Sequence, residues 1–154
     1  MTQDPTLFPT APAHLHGEAV EAQLRPLTPL LDLWRWDTYE DGSLSITLKL
    51  KGDGSTLRVW VMEDAVEVDV FAAYAPYDVQ VLTWCLMENH GAEFKARATR
   101  PERGTVPLYL TATYGLDDLA RLGEHIWDAF EAALTFRGRL WQVPLSEPEE
   151  PLSA

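Results

Sequence analysis

Apolar and polar residues alternate through the middle of the chain, most clearly after the turn formed by Glu40, Asp41 and Gly42. Successive strand residues point to opposite faces of a sheet, so this alternation predicts β-strands with one buried face. We expect a meander of three strands and, after a helix, two further strands. Their predicted buried residues are Leu44, Ile46, Leu48 and Leu50; Leu57, Val59 and Val61; Val66, Val68 and Val70; Phe94, Ala96 and Ala98; and Val106, Leu108, Leu110 and Ala112.

Helical spacing predicts three helices around these strands. The first runs from Gly17 to Leu24, the second follows Asp78 and ends near Asn89, and the third spans residues 116–136. The pattern leaves open whether the segment Trp34 to Tyr39 is strand or helix. Because proline lacks a backbone N–H, Pro107 favours an edge strand or a strand's opening residues.

The predicted order is helix-βββ-helix-ββ-helix, which is typical of an α+β fold with helices packed on an antiparallel sheet. A length of 154 residues suits a single domain. Residues 17–143 form the predicted domain. Residues 1–16 and the acidic, proline-rich residues 144–154 are predicted to be flexible tails.

Charge and cysteine content restrict the function classes. The chain has 24 acidic and 12 basic residues, a net charge of −12, whereas nucleic-acid binders usually need a positive surface. The single Cys85 cannot form an internal disulfide, and the sequence has neither a signal-peptide pattern nor an apolar stretch of membrane-span length. These features predict a cytoplasmic protein that does not bind nucleic acid directly.

No pattern of catalytic residues stands out. His14 and His16 lie in a predicted tail without further metal ligands, and His125 has the neighbours expected of a surface ion pair. Cys85 lies among apolar residues, and buried cysteines are normally inert. We therefore predict a non-enzymatic protein without a cofactor or metal.

The sheet face opposite the predicted core carries both large aromatic and charged side chains. Clustered aromatic residues on such a face often mark a contact surface, although tails or a loop could cover them instead. The residues predicted to bind a client protein are Trp60, Met62, Phe71 and Tyr109.

The second and third helices each carry apolar residues on two sides. A two-layer fold covers one side of each helix, which favours self-association, while deep burial of both helices is the alternative. The residues predicted to form a homodimer interface are Val81, Trp84, Trp127 and Phe130.

The sequence resembles the YbjN-like domains in three features. These are the order of the elements, the approach from Trp36 to Gly42 into the first clear strand, and the start of the last helix at residues 116–119. These domains are similar in fold to class I type III secretion chaperones, and the resemblance covers residues 17–140. It implies a dimeric, non-enzymatic adaptor that binds a client protein. The composition is similar to that of a deinococcal member of this family. That resemblance implies that the client is a single-stranded-DNA-binding protein of the DNA damage response. A function as a chaperone for an exported protein is equally compatible with the resemblance.

Two other functions remain as alternatives. A small-molecule or enzymatic site would require a pocket between sheet and helices that holds His125, Glu124 or Cys85. Direct nucleic-acid binding would require Arg58, Lys95 and Arg97 to form one patch.

Overall fold

A six-stranded antiparallel sheet forms the centre of the molecule. The computed structural model describes residues 6–52 and 54–146. The strands are β1 (Leu31–Thr38), β2 (Leu44–Leu50), β3 (Thr56–Val61), β4 (Ala65–Pro76), β5 (Lys95–Ala98) and β6 (Thr105–Gly115). Their order across the sheet is β1-β2-β3-β4-β6-β5, so the first four strands form a meander and β6 lies between β4 and the short edge strand β5.

Three α-helices pack against this sheet, which confirms the predicted α+β class. They are α1 (Gly17–Leu24), α2 (Val79–Glu88) and α3 (Leu122–Leu140). Asp78 caps α2, because its side chain accepts hydrogen bonds from the backbone N–H groups of Gln80 and Val81. The third helix was expected to begin at residue 116, but residues 116–121 form a 3₁₀ helix and α3 follows it. Among the described residues, no helix has the length and apolar character to cross a membrane.

The core lies between one face of the sheet and the three helices. Val20 of α1, Val81 of α2 and Ile126 of α3 are all at most 1% exposed, and they belong to one cluster with the inward residues of the strands. A β-bulge interrupts β4 near Ala72, and the Ala72 carbonyl accepts a 2.7 Å hydrogen bond from Nε of Arg137 on α3. This bond fixes the long helix to the middle of the sheet.

The structure resolves the two points that the sequence left open in the strands. The segment from Trp34 to Tyr39 is mostly strand: β1 pairs with β2 and places Trp34 in the core, opposite Leu48. Pro107 is the third residue of β6, an interior strand, so it occupies the strand's opening rather than an edge.

Residues 6–16 are packed, in contrast to the flexible tail predicted for residues 1–16, of which residues 1–5 lie outside the described residues. Phe8 is buried in the core, and the backbone N–H of Trp34 donates to the Leu7 carbonyl at 2.9 Å. The indole N–H groups of Trp34 and Trp36 both donate to the Pro9 carbonyl, each at 2.8 Å. At the other end, Ser146 bonds to Asp78, and the rest of the predicted tail, residues 147–154, lies outside the described residues.

Candidate protein-binding surface

The face of the sheet that points away from the helices is the candidate site, and we call it the open face. Its residues alternate with the core residues of each strand, and those in the described chain are half-buried or exposed, apart from the buried Ser45. The register places three successive rows across the central strands. The first row is Ser45, Trp60 and Glu67; the second is Thr47, Arg58, Asp69 and Thr111; the third contains Phe71, Tyr109 and Arg97.

Trp60 of the first row forms an aromatic pair with Tyr39, the residue that follows β1. The rings of Tyr39 and Trp60 are 5.2 Å apart between centroids, and the Tyr39 hydroxyl lies 3.0 Å from Oγ of Ser45. The guanidinium carbon of Arg58 lies 5.2 Å from the centroid of the Trp60 ring. This distance is within the range of a cation–π contact, which holds the Arg58 side chain along the face.

A second aromatic group lies in the third row. The ring centroid of Phe71 is 4.9 Å from that of Tyr74 and 5.6 Å from that of Tyr109. Arg97 on β5 places its guanidinium carbon 5.3 Å from the centroid of Tyr109. The open face therefore has two aromatic groups, each with an arginine over one of its rings.

Polar side chains fill the row between the aromatic groups. Asp69 accepts hydrogen bonds from Nη2 of Arg97 and from the Thr111 hydroxyl, both at 2.7 Å. Nε of Arg58 donates to the Thr47 hydroxyl at 3.4 Å, and no carboxylate of the described residues forms an ion pair with Arg58. A cavity of about 410 Å³ opens here, and Arg58, Arg97, Asp69 and Tyr109 line it together with threonine side chains.

The open face includes three of the four residues predicted to bind a client. Trp60, Phe71 and Tyr109 are half-buried on it, while Met62 is half-buried at the turn after β3, where its N–H donates to the Ala65 carbonyl. Of the basic residues, Arg58 and Arg97 line one cavity, but Nζ of Lys95 donates to the Asn89 carbonyl at the end of α2. The predicted basic patch is therefore reduced to two arginines.

Two aromatic residues of the open face, Tyr74 and Tyr39, were not predicted from the sequence to lie there. The bulge in β4 adds one residue after Phe71, so that Tyr74 points to the same face as Phe71 although the two are three positions apart. No sequence pattern indicates this bulge. Tyr39 follows from strand alternation once β1 is paired with β2, and its N–H donates to the Ser43 carbonyl.

The predicted dimer residues are divided between core and surface. Val81 and Phe130 are 1% and 7% exposed and belong to the core of this chain, so they offer almost no area to a second copy. Trp84 is half-buried, with its ring centroid 5.0 Å from that of Phe136. Trp127 is 45% exposed, and Leu134, one helical turn beyond Phe130, is 55% exposed.

Of the three side chains considered for catalysis, Cys85 and His125 are buried, so His125 does not form the surface ion pair that was predicted. Glu124 is exposed and pairs with Arg121. Burial raises the pKa of the Cys85 thiol to about 11, so the thiol stays protonated at neutral pH. The His125 imidazole stacks on Tyr114 with ring centroids 3.8 Å apart, and its Nε2 lies 3.5 Å from a carboxylate oxygen of Asp118. A cavity of about 430 Å³ between α2 and α3 is lined by neither Cys85 nor His125.

Metal-ligand geometry gives no competing site in the part of the chain that the structure describes. No group of three or more His, Cys, Asp or Glu side chains is placed there to hold a metal ion. In the His14 and His16 pair, Nε2 of His14 is instead 2.7 Å from the Gly42 carbonyl oxygen.

No protein-family model, no curated protein and no solved structure matches this chain.

Proposed function

We propose that this protein is a non-enzymatic adaptor that binds a client protein on the open face. The observation that carries the proposal is the pair of aromatic groups, Tyr39 with Trp60 and Phe71 with Tyr74 and Tyr109, on a sheet face to which the described helices contribute no cover. Aromatic residues and arginine are enriched in the centres of protein interfaces, where they bury large areas at low entropic cost. The resemblance to YbjN-like domains and secretion chaperones implies the same kind of function.

Homodimerisation belongs to the same proposal. The second copy would contact the exposed side of α3, which carries Trp127 and Leu134. A groove of about 540 Å³ between α1 and α3 runs beside Trp127 and is lined by Leu27 and Pro26 as well. The polar residues Gln23, Glu124 and Asp128 line the groove as well, and an exposed tryptophan beside such a mixed surface is a typical element of a protein interface.

The proposal is tested by photo-crosslinking in the protein's own lysate. Tyr109 is replaced by the photoreactive p-benzoylphenylalanine, and the matched control carries the same group at Tyr77, which is 64% exposed and lies outside the open face. We expect a discrete client adduct from position 109 alone, and we expect Trp60→Ala to abolish it while lowering the thermal transition only slightly. Equal labelling from both positions would contradict a client site on the open face.

A further inference from the structure

The open face contains a charged site that the proposed function does not by itself explain. We propose that the cavity between Arg58 and Arg97 binds a carboxylate of the client, supplied by an acidic residue next to apolar residues in an extended segment. This inference rests on the proposed function, because it specifies the chemistry of the partner that the open face binds.

Arg58 provides the first argument. Its Nε makes one long hydrogen bond to Thr47, and its terminal nitrogens have no hydrogen-bond partner within the described residues. The side chain is half-buried, and contact with the Trp60 ring limits its freedom. A guanidinium group held against a ring keeps its N–H donors in its own plane, where a carboxylate can accept two of them.

The surroundings of Arg58 provide the second argument. Asp69 lies opposite Arg58 in the register, but its carboxylate is already bound by Arg97 and Thr111. The cavity therefore has two guanidinium groups and one carboxylate, together with the side chains of Thr47 and Thr56. This arrangement leaves one positive charge for a ligand of opposite sign.

A peptide carboxylate fits this site better than a nucleic-acid phosphate. The rings of Trp60 and Tyr109 each have an arginine over one face, which restricts the base stacking that single-stranded nucleic acids use. A nucleic acid would also bring many phosphates towards a chain of net charge −12. A single carboxylate beside an apolar side chain needs only the local charge, and screening over about 10 Å weakens repulsion from distant acids.

The test begins with a library of random dodecapeptides displayed on phage and selected on the immobilised full-length protein. We expect the enriched peptides to contain an Asp or Glu beside apolar residues. The most enriched peptide, labelled with fluorescein, is then titrated by fluorescence anisotropy. We expect Arg58→Gln to weaken its binding at least tenfold, and the control Arg35→Gln, which removes an exposed charge from the same face, to change it less than twofold.

The peptide provides a second variant that does not depend on the folding of Arg58→Gln. Replacement of its acid by the matching amide should weaken binding to the unaltered protein at least tenfold and have little further effect on Arg58→Gln. Enriched peptides without acidic residues, or peptide binding that Arg58→Gln does not weaken, would overturn the carboxylate site. If Trp60→Ala still weakened the binding of those peptides, the proposed function would stand. If peptides were enriched no more on the unaltered protein than on the immobilised Trp60→Ala variant, both the carboxylate site and the proposed function would be overturned. If a dT20 oligonucleotide bound with the affinity of the peptide, and Arg58→Gln weakened this binding, the carboxylate proposal would be overturned in favour of a phosphate ligand.

Discussion

The ring of Phe8 meets the indole of Trp34 edge-on, with the ring centroids 5.0 Å apart and the ring planes at 77°. Phe8 is 8% exposed, and its carbonyl accepts a hydrogen bond from Nη2 of Arg25. Edge-to-face pairs of this kind stabilise beyond the area they bury. The segment before the first helix thus contributes Phe8 to the core.

Phe8→Ala is therefore expected to lower the free energy of unfolding by about 3 kcal/mol, the usual cost of truncating a buried phenylalanine. The neighbouring Leu7→Ala is the control, because Leu7 is 40% exposed, and it should cost less than about 1 kcal/mol. Urea denaturation followed by tryptophan fluorescence measures both. Equal stabilities of the two variants would contradict the burial of Phe8 in the core.

Two tryptophans should respond differently to the same truncation. Trp34 is 2% exposed on the core face of β1, so Trp34→Ala should destabilise the protein by about 3 to 5 kcal/mol. Trp60 is half-buried on the open face, and Trp60→Ala should cost about 1 kcal/mol. Thermal unfolding followed by circular dichroism compares them. A loss of folding in Trp60→Ala would place Trp60 in the core and remove it from the client surface.

Regular alternation carried most of the fold prediction. Leu44, Ile46 and Leu48 are buried as expected, because burial of one sheet face imposes a period of two on the sequence. The position of Phe8 could not be read in this way. Its burial depends on single contacts made by an irregular segment, which leave no period in the sequence.

The candidate site was only partly predictable for the same reason. Trp60 and Tyr109 follow from alternation, whereas Tyr74 reaches the open face through a bulge that no pattern marks. Phe130 was expected on an outer stripe of the last helix, but it is 7% exposed. A helix can bury more than one stripe when neighbouring elements wrap around it, and the sequence of the helix does not contain that information.

Cys85 should react slowly in the folded protein. Burial raises the pKa of its thiol from 9.0 to about 11, and the thiolate is the reactive form. At pH 8, alkylation by iodoacetamide should be at least tenfold slower in the native protein than in urea. Equal rates would contradict the burial of the thiol.

The same shift makes stability depend on pH. The folded protein binds the thiol proton more tightly than the unfolded chain, so this contribution is complete below pH 9 and is lost as the pH rises through about 11. The difference in unfolding free energy between the unaltered protein and Cys85→Ala should therefore be constant below pH 9 and shift against the unaltered protein above it. A pH-independent difference would exclude a raised pKa.

The proposed homodimer predicts a mass of twice 17.3 kDa by light scattering at tens of micromolar. Leu134→Asp on α3 should shift the mass towards that of the monomer, because an aspartate in an apolar contact loses its hydration without a partner. The control is Leu15→Asp, since Leu15 is 88% exposed and lies before α1. A monomeric mass for the unaltered protein would exclude the dimer.

The contact of His125 with Tyr114 predicts a structural role for the imidazole, which stability measurements test. Its imidazole stacks on Tyr114 with ring planes 10° apart, while Nε2 is buried without a hydrogen bond in the described part of the chain. His125→Phe keeps a ring in the stack and removes the unsatisfied nitrogen, so the unfolding free energy should fall by less than about 1 kcal/mol or rise. His125→Ala removes the stack and should cost about 2 to 3 kcal/mol. Chemical denaturation measures both, and a His125→Phe variant as unstable as His125→Ala would show that the imidazole nitrogens stabilise the fold. A role of the imidazole in structure alone also predicts that His125→Phe retains the crosslinking of the client from position 109.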